Sequence, residues 1–413
     1  MISSEKLQIL TESAKYDVSC SSSSSNRKNA GGVGNAHYSG ICHTFTQDGR
    51  CVSLLKILMT NYCCYDCLYC SNRRSADVPR AIATPDEICE LTMEFYKRNY
   101  IEGLFLSSAV YKNPDYTAEL LLETVIKLRK LYGFNGYIHL KGIPGADSLI
   151  LMRAGEYVDR MSYNLELPSN ASLKLLAPDK NKKAILSPMS LINELKVGNP
   201  SKKNRFLPAG QTTQMIVGAS PEKDGQILKL TESLYKKYNL KRVYFSSYVP
   251  LNKSSNLLPT SPTGLLREHR LYQADWLIRF YGFKVDEILS ANENLDLECD
   301  PKSSWALNHM ENFPVEINTA PPEILVRVPG IGFKNAYKIA SARKYSTLSE
   351  NDLLKMRISL KKARHFITIN GKFLGLEKLE SVKNSLTNNS QLYSQISMFS
   401  DPETSISALL GEL

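Results

Sequence analysis

Between residues 52 and 246 the chain alternates six times between a short apolar run and a longer stretch of helical period, and this constrains the fold more than any other feature. The runs are Val52–Thr60, Gly103–Ser108, Tyr137–Lys141, Arg160–Leu165, Thr213–Val217 and Arg242–Ser246. Each has the length and composition of a buried strand. The clearest helix opens at Thr84-Pro85-Asp86-Glu87: Thr84 reads as the N-cap, proline takes the first helical position, and Glu87 completes a capping box. Ile88, Leu91 and Phe95 then fall on one face. Thr117–Leu131, Glu222–Tyr238 and Gly264–Tyr281 read the same way. Strand alternating with helix predicts an α/β fold with a parallel sheet and crossover helices, a partial (β/α)6 barrel. In such barrels chemistry sits at the C-terminal ends of the strands.

A cysteine cluster begins three residues after the first run, Cys63-Cys64-Tyr65-Asp66-Cys67-Leu68-Tyr69-Cys70, or C-x3-C-x2-C with an additional Cys64. Three thiolates on one loop suit a soft metal centre. Structural zinc asks for four ligands in two separated pairs, and no second C-x2-C or His pair is present. An iron–sulfur cube is normally held by four cysteines, so three leave one iron open to another ligand. The chain has nine cysteines, an odd number, and the crowding points to metal or redox chemistry rather than to a disulfide framework. Cys20, Cys42, Cys51, Cys89 and Cys299 are scattered and read as small packed hydrophobes. The first three fall in a region that could cover the barrel mouth, where one could instead donate hydrogen or bind a second cluster.

Cys63, Cys67 and Cys70, placed after the first strand of a six-fold β/α repeat, resemble the cluster motif of the radical S-adenosyl-L-methionine (SAM) superfamily. The resemblance implies a 4Fe–4S cluster on Cys63, Cys67 and Cys70, with SAM on the open iron as the second cofactor. It implies that Tyr69 lies against the adenine and that an electron donor such as flavodoxin or ferredoxin reduces the cluster. The family's next motif follows the second strand, where this chain has Leu106-Ser107-Ser108-Ala109 without the usual glycines and glutamate. Ser107 and Ser108 must then supply those contacts. After the fourth strand the resemblance places ribose-binding groups at Asn164 and Glu166, with Gln211-Thr212-Thr213-Gln214 as a weaker candidate. At each of these positions an ordinary hydrogen-bonded strand-end residue is the competing reading.

Charge is concentrated elsewhere. Pro321–Lys372 holds eleven Lys/Arg against three Asp/Glu, a net +8 in 52 residues of a chain whose total is +10. Such an excess is the footprint of a polyanion-binding module, although a solvated basic face would look the same. Within it a short helix opens after Asn318-Thr319-Ala320, the turn Pro329-Gly330-Ile331-Gly332 follows, and a second helix carries Lys334, Lys338, Arg343 and Lys344. Gly330 and Gly332 let a backbone ligand approach, and the helix N-terminus offers its amides to phosphate. The run resembles the helix-hairpin-helix motif, which implies that Gly330, Gly332, Lys334 and Lys338 contact nucleic acid. Residues 345–366 look like a degenerate second copy that packs on the first.

Taken together, barrel and hairpins resemble the radical SAM proteins assigned to DNA modification or repair, a likeness that extends to Lys15–Cys20 and Arg267–Trp276. The expected organisation is a loop-rich extension over 1–50 and a barrel over 51–285. A linker over 286–314, an all-α helix-hairpin-helix domain over 315–372 and a tail over 373–413 complete it. Three functions stay open: a radical enzyme acting on DNA, one acting on RNA or a protein, and a DNA-binding iron–sulfur redox sensor without catalysis. Met1-Ile2-Ser3-Ser4-Glu5-Lys6 lacks the pattern of a signal peptide and no apolar run is long enough for a bilayer, so the expectation is a cytoplasmic protein with no membrane partner.

Overall fold

A computed structural model describes residues 2–14, 21–22, 41–45, 51–198, 206–252 and 255–387, without side chains at 21–22, 41–45 and 51–52. Among the described residues, 2–222 and 233–265 form one compact unit, and 223–232 and 266–387 form another.

In the first unit helix α1 (Ser4–Glu12) precedes strands β1 (Ser21–Ser22) and β2 (Ile41–Phe45), which pair antiparallel with each other and with β3 (Cys51–Leu58). From β3 onward every pairing is parallel and in chain order: β4 (Gly103–Ser107), β5 (Tyr137–Lys141), β6 (Arg160–Ser162), β7 (Gly210–Val217) and β8 (Arg242–Ser247). The crossovers carry α2 (Pro85–Lys97), α3 (Pro114–Ile126), α4 (Ser148–Gly155), α5 (Asn170–Leu176), α6 (Lys182–Gly198) and α7 (Asp224–Tyr238), of which residues 224–232 count with the second unit. The six parallel strands form the half-barrel that the alternation predicts. The capping box of α2 is present, with Thr84 and Glu87 exchanging bonds of 3.2 and 2.9 Å. Leu55, Ile57, Leu104, Leu106 and Ile138 are fully buried along the central strands. Each such side chain contributes roughly 1.5–3 kcal/mol of burial free energy.

Two features depart from the expectation here. The extension over 1–50, expected to be loop-rich, contains α1, whose Leu10 is fully buried and whose Lys6 pairs with Glu87 at 2.8 Å. Cys20 and the side chains of Cys42 and Cys51 lie outside the described residues. Strand β6 is shorter than the run Arg160–Leu165 because the Thr213 hydroxyl intercepts its ladder. That hydroxyl donates to Tyr163 O at 2.7 Å and accepts from Leu165 N at 3.0 Å.

The second unit comprises α8 (Leu265–Phe280), α9 (Val285–Ile288), α10 (Pro301–Asn308), β9 (Val315–Glu316), α11 (Pro322–Leu325), α12 (Phe333–Ala342), α13 (Glu350–Lys355) and α14 (Leu360–Ala363). It ends with β10 (Ile367–Ile369), β11 (Lys372–Phe373) and α15 (Leu379–Thr387). Its core corrects three expectations. Leu277 of α8 packs with Phe283 and Trp305, so α8 belongs here and not with the barrel. The 286–314 stretch supplies Cys299, Trp305 and Ala306 to that core and is no linker. The all-α reading omitted a small sheet in which β10 pairs parallel with β9 and antiparallel with β11, favoured by β-branched Val315, Ile367 and Ile369. From the expected tail, α15 adds Val382 and Leu386, and residues 388–413 lie outside the described set.

Candidate functional site

The loop that follows β3 is shaped by its backbone. Cys64 N donates to Val110 O at 2.8 Å, Leu68 N to Leu176 O at 2.8 Å, and Cys70 N to Cys67 O at 3.0 Å. The Arg80 guanidinium closes it, donating to Asn72 O at 3.0 Å, Arg73 O at 2.6 Å and Ala76 O at 2.9 Å, and also to Asn61 O. A single cation thus satisfies four carbonyls that bracket the cysteines. Ser13, at the end of α1, accepts from Asn61 Nδ2 at 3.1 Å and Asn72 Nδ2 at 3.3 Å. Asp66 fixes the far side by accepting from Ser75, and its own amide donates to Asp179 Oδ2 at 2.8 Å.

Cys63, Cys67 and Cys70 line one cavity of about 200 Å³ at the C-terminal ends of the parallel strands. Ser108, Lys141, Asn164, Glu166, Gln214 and Tyr248 line it from successive strands, and Tyr69 and Lys180 complete its polar wall. Most of the expected residues therefore meet. Cys64 does not line the cavity, and Ser107 is fully buried and does not line it either. Of the run Gln211–Gln214, Gln214 alone among the described residues faces the cavity, accepting from Asn164 Nδ2 at 3.3 Å. Gln211 instead donates to Met189 O and Tyr238 O at 3.0 and 2.7 Å.

Glu166 owes its position to an uncommon backbone. Its φ is +67°, and it bridges β7 through Glu166 N to Gln214 O at 3.1 Å and Ile216 N to Glu166 O at 2.7 Å. A glutamate in the left-handed region costs on the order of 1–3 kcal/mol and persists only where its surroundings over-determine it. Its carboxylate pairs with Lys180 Nζ at 2.8 Å, both side chains being largely buried. Burial is the largest influence on Lys180 and opposes its charge, yet Glu166, Tyr69 and Cys67 together outweigh it and hold the ammonium well above the ordinary lysine range. Lys180 also lies 6.0 Å from the centre of the Tyr69 ring.

The donor set fits a thiophilic cluster. Burial pushes the Cys67 thiol up to about 12, so the bare thiol keeps its proton at neutral pH and a metal must displace it. Burial raises Cys70 as well, opposed by an Asn72 N–H directed at its sulfur at 3.4 Å. Hydrogen bonds of that kind tune iron–sulfur potentials. Among the described residues no group of three or more His, Cys, Asp and Glu side chains is already gathered closely enough to hold a metal ion. The Tyr69 and Tyr248 hydroxyls, both buried against this cavity, have no hydrogen-bond partner among the described residues. Buried orphan hydroxyls are costly, and a polar ligand would satisfy them.

Arg80, Lys141, Lys180 and Tyr248 escape a reading of the sequence. Each is one polar residue in a loop or at a strand end, with no spacing that marks it. Cys89 and Cys299 are buried packed thiols, as composition suggests.

In the second unit the turn between α11 and α12 is tightly held. Gly330 has φ +83°, and a Cβ there would sit 2.6 Å from Ser359 O and 3.1 Å from Ala363 N. The second helical segment packs directly on this glycine. Gly332 has φ −84° and room limited only by the Tyr281 hydroxyl at 3.2 Å. Ile331 N donates to Val328 O at 3.1 Å, Phe333 N to Tyr281 Oη at 3.3 Å, and buried Lys302 Nζ to Ile331 O at 2.6 Å. The next amides, at Lys334 and Asn335, belong to the first turn of α12, where helix geometry provides no intrahelical partner. Lys334 and Lys338 are exposed. The charge count overstates what a ligand would meet. Arg327 pairs with Glu287 at 2.9 Å, Lys362 pairs with Asp300 at 2.8 Å, and Arg343 caps Ile317 O and Ala320 O.

No protein-family model matches the chain, and no curated protein matches it. Solved structures with similarity include the FeFe-hydrogenase maturase HydG from Carboxydothermus hydrogenoformans, at 14% identity over 54% of this chain and 50% of that one, TM-score 0.42. Methylornithine synthase PylB aligns at 16% identity over 54% of this chain and 61% of that one, TM-score 0.39. Streptococcus suis SuiB bound to S-adenosylmethionine aligns at 11% identity over 60% and 48%, TM-score 0.38. The chain thus spans about half the length of the maturase. Likeness at this level leaves the chemistry to be argued from the cavity itself. No helix among the described residues is long and apolar enough to cross a membrane.

Proposed function

We propose that this chain is a radical SAM enzyme acting on DNA. The observation that carries the first half is the meeting of Cys63, Cys67 and Cys70 with Asn164, Glu166 and two orphan tyrosine hydroxyls in one cavity at the strand ends. Cys63, Cys67 and Cys70 would each give a thiolate to one iron of a 4Fe–4S cluster, leaving the fourth iron to SAM. A reduced cluster with SAM supplies a carbon-centred radical able to abstract a hydrogen atom.

The chain's own residues do the rest. Arg80 and the Val110 and Leu176 carbonyls hold the loop so that three thiols face inward. Asn164 and Glu166 offer hydrogen-bond partners for a ribose or an amino group, and Lys180 holds the Glu166 carboxylate in place. Leu58, Val110, Ile143 and Ile216 line the remainder and exclude water, which protects a reactive radical. An external one-electron donor of the flavodoxin or ferredoxin type completes the cycle.

The DNA half rests on the turn at Gly330–Gly332 and on Lys334 and Lys338, read as a helix-hairpin-helix grip on phosphates. After anaerobic reconstitution, alanine at Cys63, Cys67 or Cys70 should abolish cluster absorption and SAM cleavage, and Cys64→Ala should retain both. Stoichiometric zinc with no iron–sulfur absorption in freshly isolated protein would sink the cluster. DNA affinity should fall steeply with salt, and the Lys334→Glu/Lys338→Glu variant should weaken all sequences alike. Activation of SAM turnover by RNA or a peptide, and not by DNA, would reassign the substrate.

A further inference from the structure

Among the large aromatic rings that the second unit exposes are two pairs, each at helical i,i+4 spacing. Trp276 and Phe280 of α8 are 40% and 46% exposed, with ring centres 4.5 Å apart. Phe333 and Tyr337 of α12 are 46% and 47% exposed, with centres 4.7 Å apart. The two helices meet at the residues beside these rings, because Phe333 N donates to the hydroxyl of Tyr281, the neighbour of Phe280. Along α12 the exposed Lys334 and Lys338 form a second i,i+4 row next to the aromatic one. Paired exposed rings beside a row of cations are unusual on a surface that water alone would cover.

We propose that these rings form a platform on which unpaired bases of single-stranded DNA stack while Lys334 and Lys338 follow its phosphates. The inference rests on the nucleic-acid reading above and deepens it from DNA in general to an unpaired strand. Two physical reasons favour that occupant. Every base has a π-face, so stacking on aromatic side chains binds a strand without reading its sequence. In a duplex those faces are covered by neighbouring bases, and the rings would have nothing to stack on. Charge points the same way: lysines spaced one helical turn apart attract a polyanion and would repel a basic partner.

Trp276 reports on the contact directly. The chain has two tryptophans, and the other, Trp305, is 5% exposed within the core of the unit. Titrating the full-length protein with unlabelled oligothymidine should therefore quench emission from Trp276. In fluorescence anisotropy the wild type should bind oligothymidine at least as tightly as a duplex of equal length. Phe333→Ala/Tyr337→Ala should weaken the unpaired strand about tenfold or more, with duplex affinity changed less than about threefold. Equal losses on both DNAs, or none on either, would overturn the platform while leaving the DNA reading intact. Absence of salt-sensitive binding to both DNAs by the wild type would instead overturn the DNA reading itself. Tighter binding of oligouridine than of oligothymidine would overturn the assignment to DNA. A Trp276 emission change that follows protein concentration rather than added oligonucleotide would give the face to a second copy of the chain.

Discussion

The cysteine loop and the Gly330–Gly332 turn both follow a regular element, and both carry residues proposed to meet a ligand, yet they are held by opposite means. The loop is fixed from outside by a side chain: Arg80 bonds four of its carbonyls. The turn is fixed from inside by missing side chains, since Gly330 accommodates Ser359 and Ala363 where a Cβ would collide. Glycine there reads in a sequence as room for phosphate. In the fold, at least one of the two glycines makes room for protein.

This comparison breaks most sharply at Gly330. Gly330→Ala should destabilise the protein by roughly 3 kcal/mol, since it combines a left-handed backbone with a steric clash against backbone atoms. Gly332→Ala should cost well under about 1 kcal/mol, because its φ is ordinary and only a hydroxyl is near. Urea titrations of the two variants decide it, and equal losses would mean that the turn packs differently.

At the loop, Arg80→Ala should cost about 2 kcal/mol by leaving several carbonyls without a donor. It should also lower cluster retention, read as iron released to a chelator over time under anaerobic conditions. Arg80→Lys, which keeps the charge without the fork, should recover only part of that retention. An Arg80→Ala protein that holds iron as the wild type does would show that the loop is set by its backbone bonds alone.

The smallest effect concerns Lys302, which burial pushes down to about 7 beneath the hairpin, with Asp300 opposing the shift. Its folded value lies below that of an unfolded lysine. Between about pH 7 and pH 10 the unfolded chain therefore binds more protons, and this residue makes stability rise with pH. Lys302→Met should flatten that rise in thermal midpoints taken between about pH 7 and pH 9. An unchanged slope would mean that Lys302 keeps its charge in the fold.

The strands β4, β5 and β8 were legible to within about a residue, because buried parallel strands read as short apolar runs between helices. The same holds for the capping box at Thr84, a local hydrogen-bond pattern that its own four residues specify. Strand β6 was not, because a threonine on the neighbouring strand shortens it. The linker misreading at 286–314 has a similar cause: Trp305 is buried by partners distant in sequence, and no periodicity within the segment announces them.

By itself the sequence determined the α/β alternation, the three thiols on one loop and the basic character of residues 321–372, since each depends on residue type and local spacing. Only the tertiary structure decided which polar residues share the cavity. Lys180 reaches Glu166 and Tyr69 from the loop after α5, Tyr248 arrives from the end of β8, and Arg80 folds back over the loop it closes. It also decided which basic side chains remain available to a ligand, drawing Arg327, Arg343 and Lys362 into internal bonds. The physical reason is the same in each case: a hydrogen bond or ion pair needs two groups within about 3 Å, and chain spacing says nothing about partners brought together by packing.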